Sequence, residues 1–407
     1  MGYLKDTIRG LSWVGTLRVL SRLLTFLKTI IIARILLPFQ FGVFGIISLI
    51  LTFLEILTET GVNVILIQEE TLSQSYINSA WVISIFRGIL ISFLMILSRG
   101  AIASFFHTPE VANLLLLASI IPLLRGLINP TIIKFQKELR FDKEFKYRFS
   151  VFFVETAASL CLVLITRSVA ALVWGMIIGA GFEVVLSFFW SKPTPAFSFS
   201  KKYFRNLIGR GKWVTFAGIF NYFFSQGDTI AVGRLLNTEF LGLYQMAYKI
   251  SILPITEVTD VVSKVTLPVY IKIAGDLGRL KTAFTKTLLG TFLLVIPPSL
   301  IFFFFPKEIV VLILGEKWIL SALALRVLAI FVPLRAFSAS SVTLFFSLRK
   351  QKYVTLVSFF SFLFLAATIV PLVNRYGIVG AGISVVISSV LVTPLVIYYL
   401  FKIFKQE

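Results

Sequence analysis

The 407-residue chain is 57% hydrophobic and only 14% charged, with 42 Phe and a mean hydropathy of +0.93; soluble globular proteins stay near about 45–50% apolar even with glycine counted, so this composition specifies a polytopic membrane protein. A formal net charge of +20 would suit nucleic acid, but the Lys and Arg residues sit in short stretches between apolar runs, where they orient helices in a bilayer. One cysteine, Cys161, excludes an intrachain disulfide, and with the single histidine, His107, it leaves no Cys/His metal cluster.

From Leu11 to Phe401 the chain repeats apolar runs long enough to cross a hydrocarbon core about 30 Å thick, which predicts about twelve helices. They fall at 11–36, 41–66, 79–104, 111–133, 148–167, 169–190, 207–234, 240–271, 282–305, 318–347, 353–373 and 378–401. Sustained period-two alternation is missing from the sequence, which argues against a closed barrel. The first run is too long and too charged for a cleavable signal and reads as a retained helix.

Counted on alternate sides of these spans, Lys and Arg concentrate on one side. That side holds Lys5 and Arg9, the loop from Lys134 to Arg148, the stretch from Lys192 to Lys212, the loop from Lys272 to Lys286, then Arg349, Lys350, Lys352, Lys402 and Lys405. The other has only Arg99, Arg167, Arg234, Lys307, Lys317 and Arg375, so both termini are expected in the cytoplasm. The loop from Gln68 to Asn78 dissents, with Glu69, Glu70 and no cation.

A shift of 200 residues aligns Trp13 and Val14 with Trp213 and Val214, Arg34 with Arg234, Leu36 with Leu236, Gly42 with Gly242, and Phe44 with Tyr244. A shift of 211 aligns Leu117, Ala118, Pro122 and Leu123 with Leu328, Ala329, Pro333 and Leu334. Six spans per half is an even number, so the repeats are parallel, as in transporters built from two rocking lobes. The expected organisation is an N-terminal six-helix lobe at 1–190, a cytoplasmic linker at 191–206 carrying Pro193 and Pro195, and a C-terminal six-helix lobe at 207–407.

The first span carries Arg18, Arg22, Lys28 and Arg34, where charge at bilayer depth costs roughly 2.5–3.5 kcal/mol per residue on insertion scales. At 3.6 residues per turn Arg18, Arg22, Thr25 and Thr29 share a narrow sector flanked by Ser21 and Lys28, a wet basic face. At the 200-residue shift, Ser21, Thr25 and Lys28 meet Asn221, Ser225 and Asp228, so both halves present a polar stripe on their first helix. Further mid-span charges are Glu55, Glu59, Arg87, Arg125, Glu155 and Glu183, then Lys249, Glu257, Asp260, Lys264, Arg326 and Arg335. Interhelical ion pairs and snorkelling ends account for many of these, Arg34, Arg99 and Lys264 being the clearest candidates to snorkel. Cations still exceed anions in the first half, and guanidinium forks bind phosphate oxygens bidentately, which points to a diphosphate near Arg18, Arg22, Lys28, Arg87 and Arg125, with Thr25, Thr29, Asn221 and Ser225 as polar lining. Glu55, Glu59, Asp228, Glu257 and Asp260 are candidates to couple transport to an H+ or Na+ gradient, since burial and exposure favour different protonation states.

The string Ala33-Arg34-Ile35-Leu36-Leu37-Pro38 followed by Phe41-Gly42-Val43-Phe44, then Leu66-Ile67-Gln68, resembles the amino-terminal signature of the polysaccharide-transport flippases of colanic-acid and teichuronic-acid type, within the multidrug, oligosaccharidyl-lipid and polysaccharide exporter superfamily. Thr108-Pro109-Glu110, Ala170-Ala171-Leu172-Val173-Trp174-Gly175, and Gly233-Arg234-Leu235-Leu236 with Gly242-Leu243-Tyr244 extend the likeness over nearly the whole chain. The resemblance implies an all-α fold of two six-helix bundles around a central cavity, like that of multidrug exporters. It also implies alternating access that moves an undecaprenyl-diphosphate-linked oligosaccharide across the inner membrane of a bacterial or archaeal cell. In such flippases cations of the first helix face the cavity, and Arg18 and Arg22 match them here. Many relatives have two further helices.

A lipid-linked oligosaccharide flippase, with the lipid bilayer and a polysaccharide polymerase as its surroundings, is therefore the leading reading. The alternative is a drug/cation antiporter of the same superfamily, which would need a carboxylate-dominated site. A membrane glycosyltransferase or polymerase fits less well, because the chain has no Asp-x-Asp motif, so no enzymatic activity and no cofactor are expected.

Overall fold

The computed structural model describes residues 20–58, 73–138, 140–198, 218–219, 222–223 and 225–405, with the side chains at 257, 260 and 261 also outside the description. Among the described residues every regular element is helical. The chain divides into two compact units, Met1–Tyr222 and Phe223–Glu407.

The first unit contains α1 (residues 20–35), α2 (Pro38–Leu57), α3 (Gln74–Phe105), α4 (Glu110–Ala118), α5 (Ile120–Gly126), a short 3-10 turn at Pro130–Ile133 running into α6 (Lys134–Lys137), α7 (Phe141–Thr166) and α8 (Ala170–Trp190). Pro38 opens α2, where its missing N–H costs nothing, and the Leu37 N–H donates to Gln40 Oε1 at 2.9 Å. Ser73 caps α3 by accepting from the Tyr76 N–H at 3.3 Å.

The second unit contains α9 (residues 225–235), α10 (Thr238–Lys272), α11 (Leu277–Phe304), α12 (Pro306–Leu314), α13 (Ser321–Ser347) and α14 (Gln351–Phe404). Asn237 caps α10 through the Phe240 N–H at 2.9 Å, and Asp276 caps α11 through the Arg279 N–H at 2.9 Å. The 54 residues of α14 would reach about 80 Å if straight, more than twice a hydrocarbon core. Gly377, at φ 59°, breaks them into two helices that double back so tightly that a Cβ at Gly380 would lie 1.9 Å from the Leu372 carbonyl oxygen.

Seven helices are long and apolar enough to cross a membrane among the described residues, or up to eight if the bent pair Glu110–Gly126 and Pro130–Lys137 is one span. The twelve expected spans are thus not recovered one for one, for identifiable reasons. Parts of the first and seventh lie outside the described residues, α14 joins two, and α10 carries Lys249, Glu257, Asp260 and Lys264 along its middle. Boundaries move as well. The predicted end of the second span, 59–66, lies outside the described residues, and the fifth span begins at Phe141 instead of 148, so Lys143, Lys146 and Arg148 lie on helix and not in a loop. The fourth span breaks after Gly126 and turns by 66°.

Large apolar side chains stay outward along these helices: Leu97 is 70% exposed, Ile165 79% and Leu293 75%. Water would not tolerate so much exposed hydrocarbon, and lipid covers it. Inside, small residues let backbones approach. A Cβ at Gly88 of α3 would lie 2.4 Å from the Pro122 carbonyl oxygen, one at Gly126 of α5 2.7 Å from that of Ser84, and one at Gly179 of α8 2.7 Å from Glu155 Cβ.

The duplicated corner is visible in both units. At residues 36–37 and 236–237 the helix breaks for two residues and restarts, and the Leu36 and Leu236 N–H groups bond back to Ile32 and Val232 at 2.8 and 3.1 Å. The second alignment also has a physical role in the C-terminal unit. Pro333 has no N–H for the Ala329 carbonyl one turn earlier, and the Ser299 hydroxyl of α11 donates to that carbonyl instead. Ser299→Ala leaves the Ala329 carbonyl buried without this donor and lowers stability by about 1–3 kcal/mol. An earlier unfolding midpoint in detergent, with Ser299→Thr restoring it, is the expected result; an unchanged midpoint would show the carbonyl is satisfied otherwise.

Candidate functional site

A cavity of about 470 Å³ lies within the N-terminal unit. Four helices line it at the i, i+3, i+4 spacing of a single helical face: Thr52, Glu55 and Ile56 of α2; Ser84, Arg87 and Gly88 of α3; Pro122, Arg125 and Gly126 of α5; Glu144, Tyr147 and Arg148 of α7. Glu183 of α8 and the segment Pro130 to Gln136 complete it. The Gly88–Pro122 and Gly126–Ser84 contacts that set the helix spacing are part of its wall. It sits toward the end of the unit that carries the basic stretch from Lys134 to Arg148.

The lining is strongly polar and its charges are directed. Arg125 Nη1 donates to Glu55 Oε1 in a short ion pair whose side chains are 39% and 30% exposed, so the pair is partly wet. Arg87 reaches the other side of the same residue, donating from Nη2 to the Glu55 carbonyl at 2.6 Å and from Nε to Thr58 Oγ1 at 3.1 Å. Arg148 Nε and Gln136 Nε2 both donate to Glu144 Oε1, at 2.7 and 2.6 Å. The Tyr147 hydroxyl donates to Glu183 Oε1 at 3.3 Å. Three arginines and three glutamates therefore face one space. Among the described residues no three His, Cys, Asp or Glu side chains are grouped as metal ligands would be.

The structure brings together some of the residues expected at the site. Arg87, Arg125 and Glu55 meet in the cavity. Lys28 lies elsewhere in the unit, 3.8 Å from Glu155 of α7. Arg22 is exposed on α1, and the Thr25 and Thr29 hydroxyls turn back to their own helix, donating to the Ser21 and Thr25 carbonyls at 2.6 and 2.8 Å. Arg18, Glu59 and Asn221 lie outside the described residues, as do the side chains of Glu257 and Asp260 on α10. In the C-terminal unit Ser225 is exposed, while Asp228 is buried and accepts from the Tyr244 hydroxyl at 2.7 Å, the Thr229 N–H at 2.7 Å and the Thr229 hydroxyl at 3.3 Å.

The sequence reading misses Gln136, Glu144, Tyr147 and Arg148 as site residues because it takes that segment as loop, although the i, i+3, i+4 spacing of Glu144, Tyr147 and Arg148 repeats that of Ser84, Arg87 and Gly88.

A family model described as polysaccharide biosynthesis protein matches residues 31–323. The chain belongs to this family. Among curated relatives it is 24% identical over 400 residues to an uncharacterized membrane protein in the cps region of Klebsiella pneumoniae, covering 97% of this chain and 82% of that one. It is 24% identical over 332 residues to the lipopolysaccharide biosynthesis protein WzxC of Escherichia coli K12, covering 78% and 65% of the two chains. It is 23% identical over 287 residues to the teichuronic acid biosynthesis protein TuaB of Bacillus subtilis 168, covering 70% and 59%. The fold is shared with the lipid II flippase MurJ in an inward closed conformation, at a TM-score of 0.76 and 15% identity over 96% of this chain and 88% of that one. It is also shared with an inward-facing multidrug resistance MATE family transporter, at 0.70 and 12% identity over 95% and 96%. This polysaccharide biosynthesis protein is a multi-pass membrane protein that shares its fold with that flippase and that transporter.

Because Glu55 and Arg125 are partly solvated, their attraction is modest. A double-mutant cycle on Glu55→Gln and Arg125→Met is expected to give a coupling of about 1 kcal/mol in thermal stability, the signature of a pair in direct contact. Strict additivity would mean that the two side chains part in the membrane.

Proposed function

We propose that this protein moves an undecaprenyl-diphosphate-linked oligosaccharide from the cytoplasmic to the outer leaflet of the inner membrane, for cell-surface polysaccharide biosynthesis. The observation that carries the reading is the convergence of Arg87 and Arg125 on one residue, Glu55, in a wet cavity toward the basic end of the N-terminal unit. An arginine held by a carboxylate and another held by a carbonyl and a hydroxyl have partners that phosphate oxygens can replace, with stronger charge-assisted bonds. A diphosphate arriving there would take Arg125 from Glu55. Arg18, outside the described residues, and Arg22 of α1 belong to the same proposed set of cations, and Lys28 is held by Glu155 until the cargo competes for it.

The positive-inside distribution supports cytoplasmic termini and loading from that side. The prenyl chain stays in lipid, which leaves the sugars and diphosphate to the protein. A polymerase working on the outer face is the natural recipient of the cargo. Coupling to an H+ or Na+ gradient would fall to carboxylates such as Glu55 and Asp228, of which Asp228 is buried among neutral donors. A drug/cation antiporter is less well supported, because a cationic cargo needs an excess of carboxylate, and here arginines match glutamates in number.

Charge-assisted hydrogen bonds contribute about 1.5–3 kcal/mol each, so Arg87→Ala with Arg125→Ala is expected to cut outer-leaflet delivery of lipid-linked sugars about tenfold or more in cells. Arg18→Ala with Arg22→Ala is expected to act in the same direction. Undiminished delivery at normal protein levels in both double variants would sink the phosphate site.

A further inference from the structure

Six carboxylate and guanidinium side chains face the cavity of the N-terminal unit, and five of them take part in an ion pair or, for Arg87, in charge-assisted hydrogen bonds. Arg125 is paired with Glu55, Arg148 with Glu144, and Arg87 is fixed to the Glu55 carbonyl and Thr58. Glu183 differs. Half-buried on α8, it accepts one hydrogen bond, from the neutral Tyr147 hydroxyl at 3.3 Å, and forms no ion pair with a described Lys or Arg. The charged groups around it come from every neighbouring element: Arg125 of α5, Glu144, Arg148 and Glu155 of α7, Arg87 of α3 and Glu55 of α2, with Glu155 itself occupied by Lys28 of α1.

We propose that Glu183 is the proton-exchanging counter-charge of this cavity: ionised, it balances the three arginines against three glutamates among the described residues, and protonated, it shifts that set by one positive charge and makes it receptive to a diphosphate. The exchange moves one proton between water in the cavity and a Glu183 carboxyl oxygen, and Tyr147 keeps its own proton throughout. One carboxylate and one phenol form a poor shell for a hard metal cation, which takes six or more oxygens, whereas a proton needs a single one. Proton uptake and anion binding then reinforce each other by the same factor in both directions. A unit charge several ångström from a bound phosphate in a half-wet site changes affinity about tenfold. The inference rests on the phosphate reading above for its cargo, but its proton step does not.

The test uses the whole protein reconstituted in liposomes. Infrared difference spectra across a pH titration are expected to show the C=O stretch of a protonated carboxylic acid in wild type that Glu183→Gln lacks. Pyrophosphate, measured by calorimetry, is expected to bind wild type about tenfold more tightly on the acidic side of that titration, and Glu183→Gln at the tight level throughout. A carboxylic-acid band unchanged in Glu183→Gln overturns the inference and leaves the phosphate reading standing. Pyrophosphate binding equally absent from wild type and Arg125→Ala overturns the phosphate reading, and the infrared titration still decides whether Glu183 takes a proton. Should Glu183→Gln fail to fold, Tyr147→Phe removes the carboxylate's hydrogen-bond donor and must displace the same titration; an undisplaced titration overturns the inference as well.

Discussion

Charge inside a bilayer must find a partner, and the ion pair between Arg125 and Glu55 is the clearest answer this chain gives to that constraint. It links two helices far apart in sequence, α2 and α5, and Arg87 of α3 closes on the same residue. Beside the pair, Gly88 and Gly126 bring α3 and α5 together by leaving no Cβ between them. Packing and polarity are thus one design: the small residues bring the walls together, and the charged residues one position away on the same face fill the space they enclose.

The two units are variations on a repeated plan. The corner at 36–37 recurs at 236–237 with the same backbone bond, and Pro122 recurs as Pro333. Yet the proline lies in a broken span in the first unit and in an unbroken helix, α13, in the second, where Ser299 answers the orphaned carbonyl. The polar groups diverge further. A partly wet set of arginines and glutamates occupies the first unit, while the second buries Asp228 among Tyr244 and Thr229. Since the same fold serves a lipid II flippase and a multidrug transporter, the scaffold does not choose the cargo. The choice falls to such local charge sets, which is why the arginines of the first unit weigh more here than the helix arrangement.

Much of this architecture was legible in the chain because transfer of apolar side chains from water to lipid is additive along a helix. The apolar runs that form α2, α3, α7, α8 and α11, the corner at Ala33 to Phe44 and the mid-span charges of α10 all followed from local pattern. Boundaries at charged residues did not. Lys143, Lys146 and Arg148 read as loop because charge marks the end of an apolar run, but α7 extends beyond its hydrophobic stretch and carries its first two turns into the polar region. Thr25 and Thr29 looked like a cavity lining, and a sequence cannot show that a helical hydroxyl has its own i−4 carbonyl within reach and donates there.

The sequence by itself determined that this is a helical membrane protein and where most of its helices lie, because both properties depend on residues within a few turns of one another. Only the tertiary structure decided which charges meet. Glu55 and Arg125 are 70 positions apart and Tyr147 and Glu183 are 36 apart, and nothing in local hydropathy distinguishes those pairs from any other. Coulomb attraction and hydrogen bonding act through space over a few ångström, so the partner of each buried charge is set by how the helices pack, and with it which glutamate, Glu183, is left to a tyrosine instead of an arginine.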